Sequence, residues 1–298
     1  MFIPFFKRHF NLAVIQAAKR CKPHLVVIYK GTFVSRETLV KLKEMGFWIA
    51  NFFPDVSPFA HRDLDPGTFA YYDHIFTTKS FGVKDFKRLF NLDNVSFIPH
   101  GFDPLVHRKF PSSHLYKYLE CDASFIGGYS PHKEEYLAYL KDRLPHVKLR
   151  IFGGGWDRAK KGTLRRNIAG YPIYGDYYAL AIQASKINIG LLLERIPPAS
   201  SGDLITSRTF HIPAAGGFLL HERTKELLQY FVEGKEVACF DSKDELIEKV
   251  EYYLKHENER LTIALKGHEK CIKNYSYTER ARIVIETYEK DKWKNLNG

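Results

Sequence analysis

The chain has 298 residues, 45% hydrophobic and 15% aromatic, enough for two ordinary cores and incompatible with a disordered chain. Its formal charge of +11 is uneven: residues 1–110 carry 16 Lys and Arg against 9 Asp and Glu, which suits an anionic partner such as a phosphate-bearing substrate, a membrane surface or nucleic acid. No apolar run approaches the ~20 residues that span a bilayer, and MFIPFFKRHF lacks the apolar core and cleavage site of a signal peptide, so the expected location is cytoplasmic. Cys21, Cys121, Cys239 and Cys271 are scattered without a C-x-x-C pair, which points to neither a zinc site nor a disulfide framework.

Short β-branched or aromatic runs alternate with amphipathic stretches, the pattern of parallel sheets wrapped by helices. A helix over 6–20 opens the chain. Strands are predicted at 24–29, 47–53, 74–77 and 95–98, with helices at 36–46 and 80–91 between them. The segment 98–114, IPHGFDPLVHRKFPSSH, is broken by Pro99, Gly101, Pro104 and Pro111 and marks a seam. A second strand series follows at 123–127, 148–152, 187–193, 217–220 and 236–240. Ser242 and Glu245 form a capping box ahead of Leu246, Ile247, Val250, Tyr253 and Leu254 at helical spacing. The next helix carries Leu261, Ala264, Leu265, His268 and Ile272, with His268 read as a packing residue. The expected division is a domain over 1–110, a second over 111–275, and a charged last helix within 276–298 laid back on the first.

The chain contains no G-x-x-x-x-G-K-[ST], H-E-x-x-H, G-x-S-x-G or G-x-G-x-x-G, which counts against P-loop NTPases, zincins, α/β-hydrolases and dinucleotide-binding dehydrogenases. What remains is a set of loops after predicted strands, where ligands bind in open α/β sheets. Gly127 and Gly128 end a strand, with Lys133 in the opening turn of the next helix; backbone N–H groups, a helix N-terminus and one ammonium suit a phosphate. Gly153, Gly154 and Gly155 follow another strand and read equally well as a flexible turn. Tyr174, beside Gly175, offers a ring to a nucleobase. In TSRTFHIPAAGGFLLHE, residues 206–222, Arg208 and His211 share a helix face, while Ala214, Ala215, Gly216 and Gly217 bare the backbone. There Arg208 suits a pyrophosphate and His211 a ribose or sugar hydroxyl; the plain alternative is a tight helix-to-strand connection.

In the first half, Asp55 and His61 sit in NFFPDVSPFAHRDLD at the end of a strand. Either suits a general base toward an acceptor hydroxyl, although Asp55 after Pro54 also suits a turn. Asp63-Leu64-Asp65 matches a metal-binding D-x-D, but Pro66-Gly67 directly after it favours an ordinary turn, and no metal is expected.

Several linked pieces resemble the C-terminal segment of the CgeB-like spore-maturation glycosyltransferases, related to the family 4 enzymes. They are R-x-F-x-I-P-A-x-G-G-F-L-L, E-R-T-x-E-L, F-x-x-G-K-E, D-E-L-I-E-K and Y-T-x-x-x-R between residues 208 and 282, with DASFIGGYSPHKEEYL, RIFGGGW and VSFIPHGFDPLVHRKF as weaker matches upstream. The resemblance implies an α/β GT-B fold of two facing Rossmann-like domains, the N-terminal one shortened because its usual first strand is missing. It further implies a nucleoside-diphosphate sugar as donor, held by the second domain, no cofactor, no metal, and a hydroxyl acceptor on a glycan, lipid-linked glycan or protein. Two departures accompany it: in the wider family a pair of Glu brackets this segment, and Asp203 and His211 stand at those places here. A catalytically inactive scaffold in polysaccharide or envelope assembly is the alternative those departures motivate. The basic N-terminal third suggests peripheral contact with the inner face of an anionic membrane; no recognition motif accompanies the charge, so nucleic acid is not expected.

Overall fold

A computed structural model describes residues 3–111 and 116–297, and in it the chain falls into two units. One comprises Met1–Pro99, Arg195–Gly202 and Arg280–Gly298; the other comprises His100–Glu194 and Asp203–Glu279. Residues 112–114 of the predicted seam lie outside the described residues.

The first unit contains α1 (Ile3–Cys21), β1 (Leu25–Tyr29), α2 (Arg36–Glu44), β2 (Trp48–Phe53), β3 (His74–Thr77), α3 (Gly82–Phe90) and β4 (Val95–Phe97). The four strands are parallel in the order β1-β2-β3-β4. Strand β2, WIANFF, is apolar on both faces because both are covered. On one side Leu39 and Leu42 of α2 meet Ile49, Phe53, Phe69, Ile75 and Phe86. Trp48, Ala50, Phe76 and Ile98 face the other way, against Val284 and Tyr288 of the last helix. Ser35 caps α2 by accepting from the Thr38 N–H. Asp65 of the D-x-D serves the turn: its Oδ1 accepts from Gly67 N–H at 2.9 Å, opening the 3-10 turn Pro66–Tyr71.

The second unit contains α4 (Tyr116–Leu119), β5 (Cys121–Ile126), α5 (Pro131–Arg143), β6 (Leu149–Phe152), α6 (Gly175–Gln183), β7 (Ser185–Gly190), α7 (Arg208–Ala214), β8 (Leu219–Glu222), α8 (Leu227–Tyr230), β9 (Ala238–Phe240), α9 (Lys243–Lys255) and α10 (Glu257–Asn274); α11 is Tyr277–Asn297. Its five parallel strands run in the order β6-β5-β7-β8-β9. Residues 100–110 belong to this unit: Phe102 N–H donates to Tyr275 and Phe110 N–H to Gln183 Oε1. The excursion 195–202 belongs to the first, where Asp85 accepts from Ser200 N–H at 2.8 Å and Arg88 donates to Pro198. Strand β8 starts later than 217 because Gly216 and Gly217 finish α7: Gly217 N–H donates to Ile212, and Gly216 takes φ +81°. His268 donates from Nδ1 to the Pro213 carbonyl at 3.0 Å, a packing role. Cys121, Cys239 and Cys271 are buried thiols and Cys21 an exposed one. Among the described residues, no helix is long and apolar enough to cross a membrane.

Candidate functional site

The strand order of the second unit reverses between β5 and β7. Connections leaving the carboxyl ends of two such strands depart to opposite sides, and the gap between them is where doubly wound sheets take their ligands. Strand β5 delivers Gly127 and Gly128 to this gap, α5 brings Lys133 in its first turn, and α7 opens on Arg208. Arg208 Nη2 donates to the Leu191 carbonyl at 2.6 Å, just past β7. The glycine at 127 makes room for it, since a Cβ there would lie 2.7 Å from Arg208 Nη1. Lys133 Nζ donates to the Gly128 carbonyl at 3.2 Å. Both cations stand over one buried ring, Phe125, with Cζ of Arg208 at 5.2 Å and Nζ of Lys133 at 5.9 Å from its centroid.

Neither cation is in an ion pair among the described residues. Lys133 is only 6% exposed. Burial, with the Arg208 charge adding to it, pulls its ammonium down to about 8, and burial also lowers the guanidinium. Asp203 is tied to the extension of β7, its N–H donating to Leu193 O at 2.8 Å and its Oδ2 accepting from Leu193 N–H at 3.3 Å, and it offsets both cations only through space. Two like charges held together away from water are unfavourable alone. A pyrophosphate would relieve that cost and accept from both side chains.

Main chain contributes less to the site than expected. Gly127 N–H donates to Phe152 O and Tyr129 N–H to Gly154 O, while Gly127 O accepts from Trp156 Nε1. The first amides of α5 are also used: His132 N–H donates to Glu194 Oε1 at 2.7 Å and Lys133 N–H to the capping Ser130. The loop of Gly153 and Gly154 is therefore a brace for the Gly127–Gly128 turn. Gly153 adopts φ +146°, and a Cβ on it would fall 2.0 Å from Gly127 O, whereas nothing lies within 4 Å of one on Gly154. Gly153→Ala is accordingly expected to destabilise the protein by roughly 2–4 kcal/mol, with Gly154→Ala near neutral; equal midpoints in urea denaturation would contradict the brace.

Four expected donor residues sit elsewhere. Gly216 and Gly217 precede β8, at the amino end of the sheet, and their open faces are filled by the Lys109 stem and by Ile182. Their bare backbone serves packing, because a helix-to-parallel-strand connection enters at the edge opposite the gap. The His211 ring stacks on His107 with centroids 3.8 Å apart and contacts Tyr277 and the Gly101 backbone. Burial, with His107 and His100 beside it, depresses its pKa far enough to keep it neutral. His211 thus holds residues 100–110 against α7. Tyr174 precedes α6 with its ring 77% exposed.

Spacing did not reveal a second polar group at the same strand ends. His132 Nε2 lies 2.5 Å from Glu222 Oε1 at the end of β8, and this hydrogen bond raises the imidazole pKa; Glu222 also accepts from Leu192 N–H. The rule that ligand groups follow strand ends is the available signal, and it misses Glu222 because the strand predicted at 217–220 runs over Leu219–Glu222 in the structure. In the first unit, Asp55 Oδ2 lies 3.0 Å from both His61 Nε2 and Lys30 Nζ, so the two candidate bases touch. Both contacts lie off hydrogen-bonding directions. Among the described residues no three His, Cys, Asp or Glu group as a metal site.

A family model described as glycosyl transferase-like matches residues 133–286, more than half of the chain. No curated protein matches the sequence. Among solved structures, HepE of Anabaena in complex with UDP-glucose superposes with a TM-score of 0.67 at 13% identity, covering 94% of this chain and 82% of that one. Sucrose-phosphate synthase of Thermosynechococcus elongatus gives 0.62 at 12% identity, covering 94% and 77%. A glycosyltransferase of Rickettsia africae gives 0.64 at 11% identity, covering 96% and 82%. At such identities the likeness shows the architecture, a Rossmann-like GT-B fold.

Proposed function

The chain belongs to the glycosyl transferase-like family; on that premise we propose that it transfers a sugar from a nucleotide-sugar donor, and that Arg208 and Lys133 hold the donor diphosphate and stabilise it as it leaves, without a metal. The single observation that carries this is the convergence of a buried ammonium and a partly buried guanidinium, neither in an ion pair, on Phe125 at the switch point of the second sheet. As the bond from the anomeric carbon to the diphosphate oxygen breaks, its electron pair stays on that oxygen. A preorganised guanidinium and ammonium meet the new charge without solvent reorganisation. The acceptor hydroxyl forms the new bond to carbon and gives its proton to a general base, a role that His61 or Asp55 suits by its chemistry.

Within the family we place the chain with the CgeB-like enzymes, supported by R-x-F-x-I-P-A-x-G-G-F-L-L over residues 208–220. The donor class to try first is a uridine diphosphate sugar, since HepE was solved with UDP-glucose. The proposed acceptor is a hydroxyl of a glycan, lipid-linked glycan or protein, with transfer on the cytoplasmic side. Millimolar UDP-glucose with EDTA present should raise the melting temperature, since ligand at about a hundred times its Kd adds about 2.7 kcal/mol. No shift with UDP-glucose or any other sugar nucleotide would remove the donor site from Arg208 and Lys133. A shift abolished by EDTA would remove metal independence.

A further inference from the structure

Helix α1 is anchored on one side only. Asn11 Nδ2 donates to Phe33 O at 2.8 Å, and its Oδ1 accepts from Ser35 N–H and Thr38 Oγ1, while Ala18 is buried beside α2. These ties hold the helix still and turn its other face outward. That outer face carries Phe5, Phe6, Phe10 and Leu12, exposed by 63%, 54%, 37% and 44%. Phe6 is steadied by edge contact with Phe33 and by stacking on Phe10, so the aromatic patch is ordered. Exposed Arg8, Lys19 and Arg20 lie on the same helix. Seven Lys and Arg and no Asp or Glu precede Glu37.

An apolar face this rich in Phe is costly in water, and cations that outnumber the acidic group beside them, Glu37 near Lys7, disfavour a basic partner surface. We propose that α1 is a peripheral membrane anchor that lies in the plane of an anionic phospholipid surface, its Phe side chains among the acyl chains and its Arg and Lys at the headgroups. An interfacial helix combines these two features, and each strengthens the other's binding. The inference is independent of the transfer reading, because no donor-site residue lies on α1.

The test is sedimentation of the full chain with vesicles of phosphatidylcholine alone and of phosphatidylcholine mixed with phosphatidylglycerol. Binding is expected to the anionic vesicles only and to weaken as salt rises. The triple variant Phe5→Ser, Phe6→Ser, Phe10→Ser should bind at least about tenfold more weakly, with its melting temperature and UDP-glucose shift retained. Phe5→Trp gives a readout that does not depend on losing binding: relative to the parent protein, its extra emission should shift to the blue with anionic vesicles and be quenched by brominated acyl chains. Equal binding to both vesicle types, a triple variant that binds as the parent does, or an extra indole emission in Phe5→Trp that stays unmoved while the protein sediments would each overturn the proposal. So would a dimer in solution that the triple variant dissolves, since a second copy would then cover the patch.

Discussion

Arg208→Met should lower the transfer rate by about two to three orders of magnitude, the usual consequence of removing a preorganised donor from a developing anion, while changing stability by no more than about 1 kcal/mol. These two outcomes separate because the guanidinium is an awkward guest in the ligand-free fold. It is desolvated, it stands beside another cation, and its Nε is buried without a partner. Its one strong tie is the 2.6 Å bond to Leu191 O, and losing that bond roughly cancels the relief of removing a buried charge. Arg208→Lys should recover part of the rate, since it restores the charge but not the planar fork that meets two phosphate oxygens. Release of nucleoside diphosphate, measured beside urea denaturation, checks both halves. A rate within about tenfold of the parent would take Arg208 out of the leaving-group role; a collapse of stability would mean that the rate loss reported unfolding.

The second large effect belongs to Lys133 and depends on pH. Its ammonium is lowered from 10.5 to about 8 by burial and the neighbouring Arg208, a displacement equivalent to about 3 kcal/mol. The folded pKa lies below the unfolded one, so below pH 8 the protein bears the full cost of a charged, buried Lys133. Between about pH 8 and 10.5 the unfolded chain binds the extra proton, and this contribution to stability rises with pH as the cost disappears. Lys133→Met should therefore stabilise the ligand-free protein near neutral pH, by up to about 3 kcal/mol. A bound diphosphate reverses the balance. It favours the ammonium, so binding takes up a proton above pH 8, and affinity should fall by up to about tenfold per pH unit there. Titration calorimetry of UDP in buffers of different ionisation enthalpy reads that proton directly. The Met variant should show weaker binding and no proton uptake. A parent protein whose affinity is flat from pH 7 to 10 would show that Lys133 does not face the phosphate.

The strand end that carries Gly127, Gly128 and Lys133 was legible because the composition of β5 announces it, and Arg208 could be singled out because a guanidinium suits a diphosphate. His132, Glu194 and Glu222 were not, since their partnership spans 62 residues in one case and 90 in the other. Asp55 and His61 could be named separately, but only the loop after β2 brings them to 3.0 Å. Reading the glycines was harder still. A glycine can be needed for a ligand, for a turn or for a neighbouring chain, and the three demands look alike in sequence: Gly127 admits a guanidinium, Gly153 admits the Gly127 carbonyl and Gly216 ends a helix.

Local sequence determined that this chain forms two parallel α/β units, because strands covered on both faces demand β-branched and aromatic runs, and the intervening helices advertise themselves by caps and stripes within a few residues. Long-range pairing alone decided where the chemistry lies. Placing β5 between β6 and β7 sets the reversal that opens the gap, and pairing of the 127–129 and 152–154 backbones determines which amides remain for a ligand. No local pattern encodes either choice, since both depend on which strands meet after the chain has already formed them.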